Sequence, residues 1–410
     1  MGWTLPNPEI PMDPVRQISQ FNRGRDPERL ALKYDKMRAS DFAFLRGSCH
    51  VFFDRLPQSV LNKRFPLVWA CGDLHLENFG SYKGDNRLVY FDLNDFDESA
   101  LAPVSWDLVH MLASIWLGTC DISRKTTDTR AFCRSFLEAY TEALCLGKAY
   151  WVERDTVQGP ARTLLDDLRG RSREEFLDGR TIFKGRKRRI RIDGVKALEV
   201  SAKQRAWVKD FMATFAGSQP NPTFYKVLDV ARRIAGTGSL GVERYAILAE
   251  GKGSPNNNYF LDLKLTTPSS LVPHLKVKQP RWPSEAHRSV DLQQRCQAVP
   301  MAFLHPVKVD GKAYVLRGLQ PSEDKVSFSP ADMSESELAE LLTTMGQVSA
   351  WSHLRSAGRQ GSATVDELMA FGQRRKWQEK LVNLSQALAR QTCADAAAFN
   401  AAYDNGELKV

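Results

Sequence analysis

The residues best suited to chemistry lie in one run, Cys71-Gly72-Asp73-Leu74-His75-Leu76-Glu77-Asn78-Phe79-Gly80. An Asp and, five positions on, an Asn occupy a polar loop after an apolar run, and a second apolar run ends in Asp92, 14 residues beyond Asn78. Transfer of a phosphoryl group from ATP needs a carboxylate to receive or orient an acceptor hydroxyl, and hard oxygen ligands for Mg²⁺. Asp73 suits the first task, Asn78 the second, and Asp92 completes the metal site. The segment Phe91-Asp92-Leu93-Asn94-Asp95-Phe96-Asp97 leaves the metal carboxylate open among three acids. Asp92 follows the apolar run directly and is the first choice, with Asp95 next. Asp73 and Asn78 also fit a plain Asx-type turn.

A second constellation lies far downstream. Gly236-Thr237-Gly238-Ser239-Leu240-Gly241 precedes Val242-Glu243-Arg244-Tyr245-Ala246-Ile247-Leu248, which reads as strand. A dinucleotide-binding GxGxxG opens a helix, so a strand here favours a glycine-rich loop of kinase type over ATP phosphates. Lys264 follows Gly241 by 23 residues on another strand-like run, 259–265. Strand alternation puts Tyr259, Leu261, Leu263 and Leu265 on one face and Lys264 on the other, where it could reach the phosphates or face solvent. An acid on a following helix would pair with it; Asp291 is the candidate and Glu285 the alternate.

These residues need elements to hold them. Runs 67–71 and 87–91 read as strands around the polar loop, with Asp85-Asn86 as a turn. Helical spacing covers about 30–45, 106–116 and 131–146, the last with Phe132, Phe136, Tyr140 and Leu144 on one stripe and Gly147 as its stop. Residues 152–200, dense in Arg and Asp, read as irregular. Within them 184–191 reads as a solvated basic loop, with anion or RNA binding as the other reading. Strand-like runs return from about 224, including a hairpin closing on Asp310-Gly311. Ser334-x-x-Glu337 is a capping box that opens a helix through Trp351, and 363–403 reads as further helix.

Composition narrows the class. A chain of 410 residues exceeds one ordinary core, and 43% apolar with 26% charged residues is that of a globular protein. The longest uncharged apolar stretch, 108–120, falls short of the ~20 residues that span a bilayer, so no membrane partner is expected. No signal peptide is readable at residues 1–6, and Pro6 stands where myristoylation wants Ser or Thr. Seven scattered Cys without a CxxC fit reduced thiols in a cytoplasm. The 57 basic against 48 acidic residues suit a nucleotide, a phosphorylated substrate or nucleic acid, although aromatics interleaved with the basic run are absent.

Gly-Asp-Leu-His-x-x-Asn followed by an apolar run ending in Asp resembles the catalytic and metal-binding segment of aminoglycoside and choline kinases. The resemblance implies a protein-kinase fold, Asp73 as catalytic base and Asn78 with Asp92 on Mg²⁺. His75 would be a structural loop residue and Asp107 a brace. The order catalytic loop, metal Asp, glycine-rich loop, Lys is a circular permutation of the kinase order. It is similar to the family known as domain of unknown function 2252 at Met37-Arg38-x-Ser40-x-Phe42-x-Phe44-x-Arg46-Gly47, at Gly72-Asp73-x-His75-x-x-Asn78-Phe79-Gly80, at 91–98 and at Gly236-x-Gly238-Ser239-x-Gly241. Leu45 stands where that family often has Phe, and Asp291 where a Glu is usual.

The expectation is an α+β, two-lobed, permuted kinase-like fold. Its parts are a helical catalytic lobe at 1–221, a β-rich nucleotide-covering lobe at 222–321 and the rest of the helical lobe at 322–410, with Arg317-Gly318-Leu319-Gln320 as hinge. The expected activity is ATP- and Mg²⁺-dependent phosphate transfer to an unidentified small-molecule or protein hydroxyl. Gly236, Gly238, Ser239, Gly241, Lys264 and Asp291 would serve the nucleotide. AMP transfer by the same site, a non-catalytic nucleotide-binding regulator and a basic nucleic-acid-binding module are the rivals.

Overall fold

The computed structural model describes residues 13–57, 65–119, 126–327 and 333–408. Expectations about residues 1–6 and Cys120 lie outside that set. Thirteen helices are named here among the described residues: α1 Pro14–Phe21, α2 Pro27–Arg38, α3 Asp41–Gly47, α4 Cys49–Arg55, α5 Ser105–Gly118, α6 Thr126–Cys145, α7 Gly159–Gly170, α8 Arg173–Asp178, α9 Ala202–Gly217, α10 Glu285–Cys296, α11 Glu335–Arg355, α12 Val365–Gln373 and α13 Gln378–Asp404. With twelve strands they make a mixed α+β protein. No helix of the described residues is long and apolar enough to cross a membrane.

The largest core is helical and draws on both ends of the chain. Helix α5 is apolar on nearly every side and buried almost along its length, as the run 106–116 demands. The predicted stripe of α6, Phe132, Phe136, Tyr140 and Leu144, is buried against α11, whose first turn carries the expected Ser334/Glu337 capping box. Two short antiparallel pairs lie on this core. Strand β1 (Leu67–Ala70) pairs with β4 (Ala100–Pro103), and β2 (Phe79–Lys83) with β3 (Val89–Leu93).

A six-stranded antiparallel sheet forms the second unit, in the order β11-β12-β10-β9-β8-β7. Its strands are β7 (Ala197–Leu198), β8 (Val227–Arg233), β9 (Arg244–Ala249), β10 (Tyr259–Leu265), β11 (His305–Val309) and β12 (Lys312–Gly318). Asp310 and Gly311, both with positive φ (48° and 76°), close the β11–β12 hairpin in the left-handed pair such a two-residue turn requires. One face buries Leu261, Leu263, Tyr245, Ile247, Tyr314 and Leu316 against α9, which brings Val208 and Met212. Alternation sends Asp262 and Lys264 to the other face, towards the helical unit. The sheet thus reaches back to 197, and α9 belongs with it, ahead of the boundary expected at 222.

Residues 152–200 are not irregular. They form α7, α8 and an antiparallel hairpin, β5 (Thr181–Lys184) with β6 (Lys187–Ile190). The basic run is therefore a hairpin rather than a loop: Lys184, Arg186, Lys187 and Arg191 face solvent as expected, whereas Arg188 is buried, donating to the Asp178 carboxylate (2.5 Å), the Thr181 hydroxyl (3.0 Å) and the Pro255 carbonyl (2.7 Å). Its acceptors come from neighbouring segments, so local charge density alone gives no sign of them.

Candidate functional site

The site begins where β1 ends. Gly72 has φ +90°, and a Cβ there would meet the Glu98 carbonyl oxygen at 2.2 Å, so only glycine fits the turn that delivers Asp73. Asp107, in the first turn of α5, accepts hydrogen bonds from the Cys71 and Gly72 amides, both at 2.8 Å. Behind it His353 Nε2 stands 3.3 Å away, and the other His353 nitrogen lies 2.9 Å from the Tyr140 hydroxyl. Asp107 is thus the brace that its place in the sequence implies, tied into the α6–α11 core.

Asp73 lies at the floor of a cavity of about 80 Å³. Burial, with the charges of Glu98 and Asp95, pushes its carboxyl well above the usual range. His110 Nδ1 stands 2.9 Å from the Leu74 carbonyl, which can only accept. The lone pair of neutral His110 is therefore on Nε2, 3.5 Å from Asp73 Oδ1. Burial lowers the His110 imidazole to about 4, so it is neutral at physiological pH. Asn78 ends a short 3₁₀ turn, Leu76–Asn78. Its amide nitrogen donates to Cys71 Sγ (3.1 Å) and to the carbonyls of Asp73 (3.2 Å) and Asp95 (3.3 Å). Its Oδ1 is buried with no hydrogen-bond partner.

The glycine-rich segment comes to the same cavity: Gly236, Gly238 and Ser239 line it with Asp73, Asn78, Asp95 and Lys264. It spans β8 to β9, and Gly236 and Gly241 take positive φ (75° and 84°) that lets it fold back. It is tied to the N-terminal helices. Arg25 Nη1 donates to the carbonyls of Gly238 (2.7 Å) and Leu240 (2.8 Å), Lys33 Nζ to Gly238 (2.8 Å), and the Asp26 amide to Gly241 (2.9 Å).

Lys264 pairs with Asp97 and lies 3.9 Å from Asp95. Burial raises the Asp95 carboxyl, but Lys264, Lys325, Arg317 and Arg244 outweigh it and hold Asp95 below its ordinary value, hence ionised. Burial and the nearby Arg317 and Arg46 lower Lys325 to about 8, against the pull of Asp95. Above Asp95, Asp262 is fully buried among three guanidiniums, Arg244 (2.8 and 2.5 Å), Arg233 (2.8 Å) and Arg317 (3.6 Å). The cavity shares Arg46, Glu77, Asp95, Gly236 and Lys325 with a larger one of about 530 Å³, walled by Ile234, Ala246, Phe260, Leu319 and Val326.

Two expected residues lie elsewhere. Asp92 is buried on the far side of β3, accepting from the amides of Leu93 and Ala298 (both 2.9 Å) and from Arg355 (3.3 Å). The chain leaves the strand after Leu93, so Asp95, not Asp92, lines the cavity with Asn78, whose amide donates to the Asp95 backbone carbonyl. Asp291 lines a separate cavity with Arg295, Arg355 and Arg359, and Glu285 pairs with Arg288 (2.7 Å). Neither is the acid facing Lys264; Asp97 is. Helix α10 contributes Arg288 instead, which donates to the carbonyls of Asp97 (2.7 Å) and Ser99 (2.6 Å) and so fixes the acidic segment.

The residues present fit a divalent cation held jointly with a ligand. The orphaned oxygen of Asn78 and the ionised Asp95 are hard donors beside one cavity. Among the described residues no group of three or more His, Cys, Asp or Glu side chains could hold a metal alone. Mg²⁺ commonly takes one or two carboxylates and fills its octahedron with phosphate oxygens and water. Sequence reasoning missed Arg25, Lys33, Asp97 as the partner of Lys264, Lys325 and Asp262. Asp262 was within reach, being two residues before Lys264 on the same strand face; Lys325 carries no local signal.

No curated protein matches the chain, and no solved structure does. Residues 25–402 match the family described as uncharacterized protein conserved in bacteria. That span takes in Arg25, Asp73, Asn78, Asp95, the glycine-rich segment, Lys264 and Lys325, so the whole site lies within it. The chain belongs to that family, the domain of unknown function 2252.

Proposed function

We propose that this protein is an ATP- and Mg²⁺-dependent phosphotransferase with a kinase-like two-lobed fold in permuted order. One observation carries the reading: Asp73, Asn78 and Asp95 line a single cavity with Gly236, Gly238 and Lys264, more than 140 residues downstream. A kinase site needs these parts together: a glycine-rich cover joining two strands, a lysine on the strand that follows them, an Asn and an Asp for metal, and an acceptor-side Asp. Strands β8, β9 and β10 follow that order, with Lys264 on the third.

In this reading the base of ATP occupies the larger cavity and its phosphates reach under the glycine-rich segment. Lys264 and Lys325 offset the phosphate charge. Bound Mg²⁺, held by Asn78 and Asp95, would supply charge neutralisation of the β- and γ-oxygens. Asp73 accepts the proton of the acceptor hydroxyl as its oxygen bonds to the γ-phosphorus; the bond to the β,γ-bridging oxygen breaks and ADP leaves. Most of the rate enhancement is electrostatic positioning.

Asn78→Ala and Asp95→Ala are each expected to weaken Mg²⁺-ATP binding by about tenfold or more, having removed one hard ligand apiece. Asp92→Ala should leave that affinity alone and lower stability, since it removes the carboxylate beside Arg355 and leaves it the Cys296 and Tyr150 carbonyls alone. Titration calorimetry on the three variants separates these outcomes, and an effect confined to Asp92→Ala would move the metal to that residue. The reaction itself is tested by supplying ATP labelled in the α- or the γ-phosphate together with a mixture of acceptors. Label passing from γ alone is expected. Transfer from α would make the protein an AMP transferase, and no release or transfer of either label would leave a nucleotide-binding regulator.

A further inference from the structure

A second cavity, of about 160 Å³, lies against the same connecting segment, and most of its walls are ones that the proposed reaction does not use. It shares Phe260, Leu319, Gln320 and Pro321 with the nucleotide-sized cavity and is otherwise built from the β2–β3 hairpin, the start of α8 and the segment 301–303. Lys83, Arg87, Arg171 and Arg173 line it, with Asp324 as the one carboxylate among its walls. Asp324 is already committed, 2.7 Å from Arg171. Among the described residues no ion pair is formed by Lys83, Arg87 or Arg173. Gathering like charges around a partly buried cavity costs energy that a bound anion would recover.

Two of the guanidiniums are seated on aromatic rings. Arg173 lies 3.8 Å over the centroid of Tyr259 and Arg87 4.6 Å over Phe303, and the two rings meet edge to face at 5.7 Å. A guanidinium resting on a ring keeps N–H donors that can fork onto a phosphate. Arg87 and Phe303 both have left-handed backbones, φ 72° and 63°. For a bulky aromatic residue that conformation is costly, and such strain concentrates where a ligand is clamped. Here both strained residues belong to one stack at one cavity. The Lys83 ammonium is lowered by burial and by the neighbouring Arg173 and Arg171, against the pull of Asp324.

We propose that this cavity is a binding site for a phosphomonoester carrying a flat apolar body, separate from the transfer site. The phosphate would meet Lys83, Arg87 and Arg173, and the flat body the side chains of Phe176 and Met301. Such a ligand would touch the hairpin that follows Asn78 and the sheet that carries Lys264, so its occupancy would hold the two units together across 318–321.

Phenyl phosphate, titrated calorimetrically into the full chain, is the probe. It is expected to bind, more tightly than inorganic phosphate, and to bind more tightly as pH rises through the second phosphate ionisation near 6. Arg87→Ala/Arg173→Ala should weaken it at least about tenfold by removing two charge-assisted contacts. Lys83→Met leaves both stacks in place and should also weaken it, which keeps the test alive if the double variant loses its fold. Asn78→Ala should bind phenyl phosphate as wild type does. Absence of binding to wild type, or equal affinity in wild type and Lys83→Met, overturns the assignment. So does loss of phenyl phosphate binding in Asn78→Ala, which would put the probe in the transfer site.

Discussion

Asp73→Asn is expected to keep the fold and nucleotide binding while lowering transfer by about 10²–10⁴-fold, the usual contribution of a general base. Asn preserves the size and much of the hydrogen bonding of the turn, which Asp107 braces through the backbone of Cys71 and Gly72 rather than through Asp73 itself. What it loses is the ability to take a proton. The wild-type pH profile should carry the same mark. Burial and the neighbouring acids Glu98 and Asp95 raise the Asp73 pKa. A base must be deprotonated to act, so activity should rise with pH through a pKa above the ordinary ~3.9 of Asp. In its protonated form Asp73 faces the lone pair of His110, a ready acceptor at 3.5 Å. Wild-type turnover in Asp73→Asn would make Asp73 a turn residue only. Turnover flat with pH from 4 upward would deny the raised pKa.

The second large effect is on stability. Asp262→Ala should destabilise the protein by about 3–5 kcal/mol, the range for breaking a buried ion pair and stranding its partners. Asp262 is the shared counter-charge of Arg233, Arg244 and Arg317 at the sheet's inner face. Burial alone would raise its pKa, but those three guanidiniums hold it far below the ordinary value. A depressed folded pKa gives stabilisation that is complete above the unfolded value of ~3.9 and is lost as pH falls from there towards the folded one. Urea denaturation of wild type and Asp262→Ala at neutral pH measures the effect. A difference under about 1 kcal/mol would mean that water or other acceptors already serve the three arginines.

How much of this was legible in the sequence follows from the range of the interactions involved. The α6 stripe, the Ser334/Glu337 cap, the Asp310-Gly311 turn and the β10 alternation are local, and each has the predicted form. The convergence of Asp73, Asn78, Gly236, Gly238, Ser239 and Lys264 on one cavity was also expected, from the order of two half-sites. What failed was the choice among neighbouring acids. Whether Asp92 or Asp95 meets Asn78 depends on where β3 stops pairing, and spacing does not encode that point. The acid opposite Lys264 was sought on α10 at Asp291, whereas Asp97 arrives from the other unit. In the basic run 184–191 only Arg188 departs from the solvated reading, and for the same reason, since the acceptors that bury it lie at Asp178 and Pro255.

The central claim, that the cavity under Gly236–Gly241 holds the phosphates of a metal–nucleotide complex, is met most directly by one titration. ATP is added to the wild-type chain with excess Mg²⁺, and again with the metal chelated. Saturable one-site binding is expected in the first case and affinity at least about tenfold weaker in the second, because the Asp95 carboxylate would then repel the phosphates. Binding of equal strength with and without metal, or no binding in either, would contradict it.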